Sequence, residues 1–341
     1  MEILNYPNVR KAILQEKKGE KVRCLLCERK CLISEGKSGF CKTRKNINGV
    51  LYTLVYGDIT ALEARPIEIK PFFHFYPGSN ALTFSTWSCN LTCPWCQNWH
   101  LSKTSPKIES AHFIPPEVMI KIAKDKKMDG LCISFQEPTL LFEYAIDVFK
   151  LAKKEGIYNT FVSNGYMTLD ALKLLKEAGL DAINIDIKGD EEVYKHYLGG
   201  TKEEIIWRNA KAAKEMGIHV EMIHLIVTGL NDDLIKINRL IKKHLKYLGP
   251  EVPLHFTRYF PAYRYQLPPT SIEILEAAYN LAKKEGIFYP YIGNVTGHKG
   301  ENTYCPNCGR LLIERLGWRV IKNNLKNKNC PFCGHLIDIV I

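Results

Sequence analysis

Eleven of the twelve cysteines fall into three groups whose spacing is typical of metal ligands. The groups are Cys24, Cys27, Cys31 and Cys41 near the N-terminus, Cys89, Cys93 and Cys96 in the first third of the chain, and Cys305, Cys308, Cys330 and Cys333 near the C-terminus. Cys132 alone stands outside them. Grouped thiols indicate metal binding in a reducing compartment and not disulfides, so the sequence predicts a cytoplasmic protein with three metal centres.

The composition fits a folded chain between two cysteine-rich modules. Of 341 residues, 46% are hydrophobic and 24% are charged, which is ordinary for a globular protein and excludes disorder, collagen and coiled coil as the main class. We predict neither a membrane span nor a secretory signal, because no run of 18 uncharged apolar residues occurs. The predicted domains are a four-cysteine module over 1–60, a central domain over 61–293 and a second metal module over 294–341.

Positive charge is concentrated at the two ends of the chain. The net charge is +11, and residues 1–50 contain 12 basic against 5 acidic side chains, residues 51–293 contain 28 of each, and residues 294–341 contain 7 against 3. Basic terminal modules suggest an acidic partner such as RNA. The alternative is a lysine-rich surface that keeps the protein in solution.

The central domain alternates strand-like and helix-like segments six times. The strand-like runs, rich in β-branched and aromatic residues, are 81–87, 130–135, 158–163, 182–187, 219–227 and 253–259. The amphipathic segments are 116–127, 140–155, 169–178, 203–217, 234–248 and 272–285. This order is typical of a parallel α/β sheet, either open and doubly wound or curved into a partial barrel.

Polar residues follow the carboxyl end of each predicted strand, and the three central cysteines follow the first. In parallel α/β folds these ends meet at one edge, where ligands bind. Three thiolates on one short loop suit a [4Fe-4S] cluster with one iron left open to a substrate or cofactor. An open zinc site is the alternative, although catalytic zinc favours histidine and carboxylate ligands.

The cysteine loop also resembles a known family. The pattern CxxxCxxC after the first strand resembles the radical S-adenosylmethionine (SAM) superfamily, and Cys93 to Asn98 (CPWCQN) resembles its glycyl-radical activating branch. With Lys70 to Ser79 (KPFFHFYPGS) and the two terminal cysteine sets, the chain resembles the radical SAM component of the AmmeMemoRadiSam system, often described as pyruvate formate-lyase activating enzyme-like.

The resemblance implies a partial (β/α)6 TIM-type barrel in which Cys89, Cys93 and Cys96 hold a [4Fe-4S] cluster. The open iron would chelate SAM, and reductive cleavage would give a 5′-deoxyadenosyl radical. Because the radical would arise on the cofactor, the catalytic side chains stay unassigned in the sequence. A low-potential electron donor of the ferredoxin or flavodoxin type is the implied partner.

The same resemblance suggests cofactor contacts at the other strand ends. Glu137 stands in the place of the family's Gly-Gly-Glu motif, although Phe135 and Gln136 replace the glycines. Ser163 and Asn164 resemble the Thr-Asn-Gly segment that reaches the ribose or carboxylate. Asp186 and Lys188 resemble the family's Asp-x-Lys, with Lys188 paired to the cofactor carboxylate, and Trp95 and His255 complete the predicted set. Trp95 either stacks on adenine or fills the core.

The terminal cysteine sets predict further metal sites. Cys305, Cys308, Cys330 and Cys333 form two CPxCG knuckles, which indicate a tetrahedral site for Zn²⁺ or a rubredoxin-like iron, with zinc favoured. Cys24, Cys27, Cys31 and Cys41 have less regular spacing; zinc is favoured there over an auxiliary [4Fe-4S] cluster.

Three functions follow from these patterns. The first is an activating-type radical enzyme that takes hydrogen from a glycine of a partner protein. The second is radical modification of RNA or another polyanion, suggested by the basic termini. The third is a non-enzymatic zinc scaffold, which leaves the converging strand-end residues unexplained.

Overall fold

The computed structural model describes residues 2–341, and the chain forms two compact units. The first unit contains residues up to Arg65, Ala81–Thr92 and Cys96–Ile183. The second unit contains Pro66–Asn80, Cys93–Trp95 and Asn184–Ile341. Each unit therefore combines part of the central domain with one of the terminal cysteine sets.

The N-terminal part of the first unit consists of two small antiparallel sheets. The strands are β1 (Arg10–Lys11), β2 (Gln15–Lys18), β3 (Lys21–Cys24), β4 (Leu32–Ile33), β5 (Arg44–Ile47) and β6 (Val50–Thr53). One sheet has the order β1-β6-β5 and the other β2-β3-β4. Cys24 thus lies at the end of β3, and the other three N-terminal cysteines lie in the loops on either side of β4.

The rest of the first unit contains the first half of the predicted α/β alternation. Its strands are β7 (Ala61–Pro66), β8 (Asn80–Ser85), β9 (Gly130–Ile133) and β10 (Tyr158–Ser163), and its helices are α1 (Trp99–Ser102), α2 (Pro116–Asp125), α3 (Phe142–Lys154) and α4 (Leu169–Ala178). β9 pairs in parallel with both β8 and β10. All four residues of β9 are buried, which explains why its sequence is continuously apolar.

The second unit repeats the alternation and then ends in a small antiparallel sheet. Its strands are β11 (Ala182–Asp186), of which the first two residues belong to the first unit, β12 (His219–Ile226), β13 (Leu254–Arg258) and β14 (Pro290–Gly293). Its helices are α5 (Glu191–Tyr197), α6 (Glu203–Glu215), α7 (Leu234–Leu248) and α8 (Ile272–Glu285). β13 pairs in parallel with β12 and β14. The terminal strands β15 (Thr303–Tyr304), β16 (Leu311–Leu316) and β17 (Arg319–Asn323) form the last sheet.

The strands of the main sheet follow one another in chain order, β7 to β14. The six predicted strands are confirmed as β8 to β13, and their sequential parallel arrangement is that of an open, partial barrel. β7 and β14 were not predicted, and they form the two edges of the sheet. Within residues 2–341, no helix has both the length and the apolar composition needed to cross a membrane.

A buried ion pair joins the N-terminal strands of the first unit to helix α3. Arg44 Nη1 donates to Glu143 Oε1 at 2.6 Å, and Arg44 Nη2 donates to the Leu140 carbonyl at 3.3 Å. The backbone N–H of Ile13 donates to the same Glu143 oxygen at 3.1 Å. Burial alone would lower the pKa of Arg44, but the charge of Glu143 outweighs it and raises the pKa. Arg44 is therefore a permanent cation inside the first unit.

We expect Arg44→Met to lower the free energy of unfolding by about 3 kcal/mol, because it leaves the buried Glu143 carboxylate without its counter-charge. Lys124→Met is the matched control, since Lys124 pairs with Glu155 at an exposed position and should cost less than about 1 kcal/mol. Urea unfolding measures both. Arg44→Met/Glu143→Met should recover part of the loss, and equal losses in Arg44→Met and Lys124→Met would contradict this account.

Candidate functional site

The loop that carries the central cysteines begins directly after β8 and is fixed by contacts within the first unit. Ser88 adopts a left-handed backbone conformation (φ 73°), and its hydroxyl donates to the Cys41 carbonyl at 2.6 Å. Its N–H donates to the carbonyl of Leu101 in the short helix α1. Lys103, which follows α1, donates its ammonium group to the Leu91 carbonyl at 2.8 Å. The loop is therefore held in one conformation from both sides.

Polar groups of the first unit approach the sulfurs of Cys89 and Cys96. The Leu91 N–H donates to Cys89 Sγ at 3.4 Å, and the side-chain amide of Asn164 lies 3.8 Å from the same sulfur. Cys96 Sγ lies 3.1 Å from the Ser102 hydroxyl. Hydrogen bonds of this kind stabilise a thiolate and tune the potential of iron bound to it. This donor set therefore fits iron–sulfur ligation.

Glu137 connects the loops that follow β9 and β10. Its Oε1 accepts hydrogen bonds from the Thr139 N–H, the Thr139 hydroxyl and the Ser163 hydroxyl, at 3.1, 2.5 and 2.8 Å. Its Oε2 accepts from the Asn164 N–H at 2.9 Å. Burial raises the pKa of Glu137. Both carboxylate oxygens are thus bonded within the protein, so Glu137 positions Ser163 and Asn164.

Asn164 extends this network to the cysteine loop. Its side-chain N–H donates to Asn90 Oδ1 at 2.7 Å, and its side-chain oxygen, Oδ1, accepts from the Tyr166 N–H at 3.0 Å. Asn90 is the residue after Cys89, so the strand-end loops of the first unit form one hydrogen-bonded group around Cys89. The sequence analysis did not identify Asn90, because an asparagine beside a cysteine carries no signal of its own.

Gln136 is a second residue that the sequence analysis treated only as a departure from the family motif. Its side chain is buried, and neither the amide oxygen nor the amide nitrogen has a hydrogen-bond partner within residues 2–341. The preceding residue, Phe135, has φ 72°, a conformation that favours glycine. Phe135 therefore holds a conformation that a glycine adopts without strain, and the Gln136 amide offers donors and an acceptor that are unused among residues 2–341.

In the second unit, Lys188 and Asp186 form an ion pair after β11. Lys188 Nζ donates to Asp186 Oδ2 at 2.5 Å, while Asp186 Oδ1 is buried without a partner among the described residues. Burial alone would lower the pKa of Lys188, but the charges of Asp186 and Cys93 outweigh it and raise the pKa. The backbone N–H of Lys188 donates to the Tyr194 hydroxyl, and its carbonyl accepts from Asn231. A fixed cation therefore lies near Cys93.

Trp95 is packed among aromatic rings of the second unit. It is 4% exposed, and its ring centroid lies 6.1 Å from that of Tyr197 and 6.2 Å from that of Tyr265. The neighbouring Pro94 carbonyl accepts from the Arg264 N–H at 2.9 Å. This packing agrees with the core-filling alternative for Trp95, and its stacking on adenine stays a prediction.

His255 lies in a buried cluster around Glu221 in the second unit. His255 Nε2 is 2.7 Å from Glu221 Oε2, and His219 Nε2 is 3.1 Å from Oε1. The backbone N–H groups of Phe73 and His74 donate to the same carboxylate. Burial alone would raise the pKa of Glu221, but these histidines outweigh it and lower the pKa. The structure thus gives His255 a protein partner, and its contact with a cofactor stays a prediction.

The four C-terminal cysteines converge on one point. Cys305 Sγ is 3.6 Å from Cys333 Sγ, Cys308 Sγ is 3.7 Å from Cys330 Sγ, and all four sulfurs lie within 4.8 Å of one another. Gly309 and Gly334 have φ 72° and 75°, which turns each knuckle back on itself. This geometry fits one tetrahedral ion, zinc or iron.

The N-terminal cysteines lie together in the first unit. All four line one pocket, and Cys24, Cys27 and Cys41 are buried there. Burial raises the pKa of Cys24 to about 11 and also raises the pKa of Cys27. The chain near Cys27 is tied to the loop after β10, because Leu26 accepts from the Thr168 N–H. A cation that binds in this pocket must therefore displace protons from buried thiols.

Comparison with known proteins identifies the family. The sequence profile of the radical SAM superfamily matches residues 85–241. An uncharacterized protein of Methanocaldococcus jannaschii is 43% identical over 337 residues, which cover 98% of this chain and 100% of the relative. The chain belongs to the radical SAM superfamily, as predicted, and this membership implies a [4Fe-4S] cluster and SAM as cofactors.

Two further relatives differ in their reactions. A GTP 3′,8-cyclase of Aquifex aeolicus is 29% identical over 223 residues, 59% of this chain and 63% of that protein. A pyruvate formate-lyase-activating enzyme of Clostridium pasteurianum is 28% identical over 171 residues, 48% of this chain and 68% of that protein. Similarity therefore supports radical SAM chemistry and leaves the substrate open.

We expect Glu137→Gln to lower the free energy of unfolding by about 2 kcal/mol. The substitution replaces one acceptor oxygen by an NH₂ group, which cannot accept the hydrogen bonds that Thr139, Ser163 or Asn164 donate to that oxygen. Glu177→Gln, at an exposed position on α4, is the matched control and should change stability by less than about 0.5 kcal/mol. Thermal or urea unfolding compares them. Unchanged stability in Glu137→Gln would show that the carboxylate does not hold these loops.

Proposed function

We propose that this protein is an activating-type radical SAM enzyme that takes a hydrogen atom from a glycine of a partner protein. The observation that carries the proposal is the loop of Cys89, Cys93 and Cys96, which offers three thiols, the number that leaves one iron of a [4Fe-4S] cluster open for a cofactor. The resemblance of CPWCQN to the activating branch and the similarity to a pyruvate formate-lyase-activating enzyme support the finer assignment.

The bound cluster and SAM supply a reductive cleavage that gives methionine and a 5′-deoxyadenosyl radical. Within that scheme, Lys188 provides the fixed positive charge for the cofactor carboxylate, and the Asp186 carboxylate keeps it in place. In the first unit, we assign the side-chain amide of Gln136 to hydrogen bonding with the cofactor, because this buried amide has no hydrogen-bond partner among residues 2–341. Glu137 acts by holding Ser163 and Asn164 in position.

The reaction needs an electron that the chain does not generate. We propose a low-potential one-electron donor of the ferredoxin or flavodoxin type as the second partner, beside the protein substrate. Trp95, which packs against Tyr197, and His255, which pairs with Glu221, complete the proposed cofactor set.

We expect the anaerobically reconstituted protein to release 5′-deoxyadenosine when SAM and dithionite are added, and Cys93→Ala to reduce this release at least about 100-fold because one cluster ligand is lost. Cys132→Ala is the control, since this buried cysteine lies in β9 outside all three sets and should keep most of the activity. Chromatography of the nucleoside products measures release. Full release by Cys93→Ala would contradict the assignment, and no release by the intact protein is the result that the zinc scaffold predicts.

The hydrogen donor can be identified by isotope transfer. A partner captured anaerobically and labelled with deuterium at glycine should pass deuterium into 5′-deoxyadenosine, which mass spectrometry detects. Deuterium that enters only from labelled RNA would instead favour the second candidate.

The basic terminal segments support RNA as the second candidate substrate. Lys17, Lys18 and Lys21 are exposed on the β2–β3 hairpin, within the segment that carries the largest excess of positive charge. Phosphate contacts release counterions, so such binding weakens steeply as salt is added.

If this hairpin binds RNA, the logarithm of the binding constant falls linearly with the logarithm of the salt concentration. We expect the slope of that line to be less negative by about 2 in Lys17→Ala/Lys18→Ala/Lys21→Ala than in the unmodified protein, because three phosphate contacts are lost. Fluorescence anisotropy with a labelled single-stranded RNA at several salt concentrations measures the slope. Lys124→Ala/Lys126→Ala, outside the terminal modules, is the control. Absent or salt-insensitive binding removes this candidate.

A further inference from the structure

The pocket formed by the N-terminal cysteines is lined by groups that suit a negatively charged metal centre. Its walls are formed by the four cysteines together with apolar side chains, two arginines and the amide side chain of Asn90. The lining residues used in this argument are Leu26, Arg29, Ile33, Phe40, Arg44 and Asn90. The four thiols therefore face one common space and do not lie at separate positions on the surface.

The spacing of the sulfurs distinguishes this set from the C-terminal one. A single tetrahedral zinc ion, with Zn–S bonds of about 2.3 Å, holds its sulfurs about 3.8 Å apart. The C-terminal sulfurs show that spacing, at 3.6 and 3.7 Å. Within residues 2–341, groups of three or more ligand atoms within 4.8 Å of one another occur in the C-terminal set and not in the N-terminal one. The N-terminal thiols line one pocket, but no three of their sulfurs lie within 4.8 Å of one another, a wider spacing than that of the C-terminal set.

We infer that Cys24, Cys27, Cys31 and Cys41 hold a second [4Fe-4S] cluster, with all four irons bound by the protein. Such a cluster places four irons and four sulfides between the thiolates, so its ligands stand further apart than those of a single ion. Zinc, which the sequence pattern favours, needs the closer spacing. The inference does not depend on the proposed function, because it concerns cysteines outside the central loop.

The charges and apolar groups around the pocket suit such a cluster. Arg44 is fully buried, and it acts electrostatically on Cys24 and Cys41 as well as on its partner Glu143. The guanidinium group of Arg29 lies over the Phe40 ring at 3.7 Å, on the same pocket wall. Cations beside a cluster balance the negative charge of the thiolates and sulfides, and apolar neighbours limit solvent access. The lining of the pocket thus suits a negatively charged group that is shielded from solvent.

Gly39 shows how closely the backbone approaches the ligands. A Cβ added at Gly39 would lie 3.7 Å from Cys31 Sγ and 3.1 Å from the Ile33 side chain. The Gly39 N–H donates to the Arg44 carbonyl, which keeps the returning loop against the pocket. The glycine therefore lets the loop carry Cys41 back towards the other three cysteines.

The pocket adjoins the loop of the central cysteines within the first unit. Asn90 lines the pocket, and its carbonyl accepts a hydrogen bond from Arg29 at 2.5 Å. Asn90 is covalently joined to Cys89, and its side chain accepts from Asn164, which also approaches Cys89 Sγ. Asn90 therefore links the pocket to the residue that carries the first central thiol, a position suited to a redox group.

Metal and sulfide analysis of the unmodified protein, purified and reconstituted anaerobically, tests the inference first. Two [4Fe-4S] clusters and one C-terminal ion give about eight irons and about eight sulfides per chain, with one further metal ion. About four irons, about four sulfides and about two zinc ions would overturn the inference. This measurement uses the unmodified protein, so its result does not depend on whether a variant folds.

Two variants then assign the iron to its ligands. Cys89→Ala/Cys93→Ala/Cys96→Ala should keep about four irons and four sulfides and should give the electron paramagnetic resonance signal of a reduced [4Fe-4S] cluster with dithionite. Cys24→Ala/Cys41→Ala should lose about four irons while the Cys305→Ser/Cys308→Ser control loses one metal ion and keeps about eight irons. A triple variant that contains no iron–sulfur cluster contradicts the inference.

The same variants separate this inference from the proposed function. If the central loop holds no cluster, the triple variant and the unmodified protein contain equal amounts of iron, and the proposed function fails while the N-terminal cluster remains supported. If the N-terminal set binds zinc, Cys24→Ala/Cys41→Ala loses zinc and keeps its iron, and only the inference fails.

Discussion

Four hydrogen bonds to one buried carboxylate organise the strand-end loops of the first unit. A carboxylate as buried as that of Glu137 is costly unless its oxygens are well hydrogen-bonded, and here Thr139, Ser163 and Asn164 supply all four donors. This requirement fixes the backbone after β10, and with it the side chain of Asn164, which reaches the sulfur of Cys89. The placement of a sulfur ligand therefore depends on a residue that does not touch it.

The sequence predicts the sheet well because its strands are buried on both faces. Runs such as Gly130–Ile133 contain no exposed residue, so hydrophobicity alone identifies them. The helices have clear ends: α4 begins after the capping Thr168 and stops at Gly179, which has φ 113°. The edge strand β7 was missed because its residues are only half-buried, and the short helices α1 and α5 offer too few turns for a periodic pattern.

The site is harder to predict because its chemistry depends on pairings between distant residues. The position of Glu137 at a strand end points to the right edge of the sheet, but no local pattern shows that its oxygens are taken by residues 163 and 164. His255 illustrates the same limit, since its partner Glu221 lies on the neighbouring strand and is found only when the register of β12 and β13 is known. Gln136 looked like a loss of the family motif, and it is instead the residue with an unused amide.

The two terminal cysteine sets bring identical ligands together in different ways. In the C-terminal set each CPxCG knuckle carries two sulfurs on one tight turn, and sulfurs of the two turns lie 3.6 and 3.7 Å apart, a spacing that fits one tetrahedral ion. In the N-terminal set the ligands come from the end of β3, the β3–β4 loop and the segment that returns through Gly39, and they line a pocket that also contains buried Arg44. Four thiolates alone do not distinguish zinc from an iron–sulfur cluster, and the close spacing of the C-terminal sulfurs is the feature that fits a single ion there.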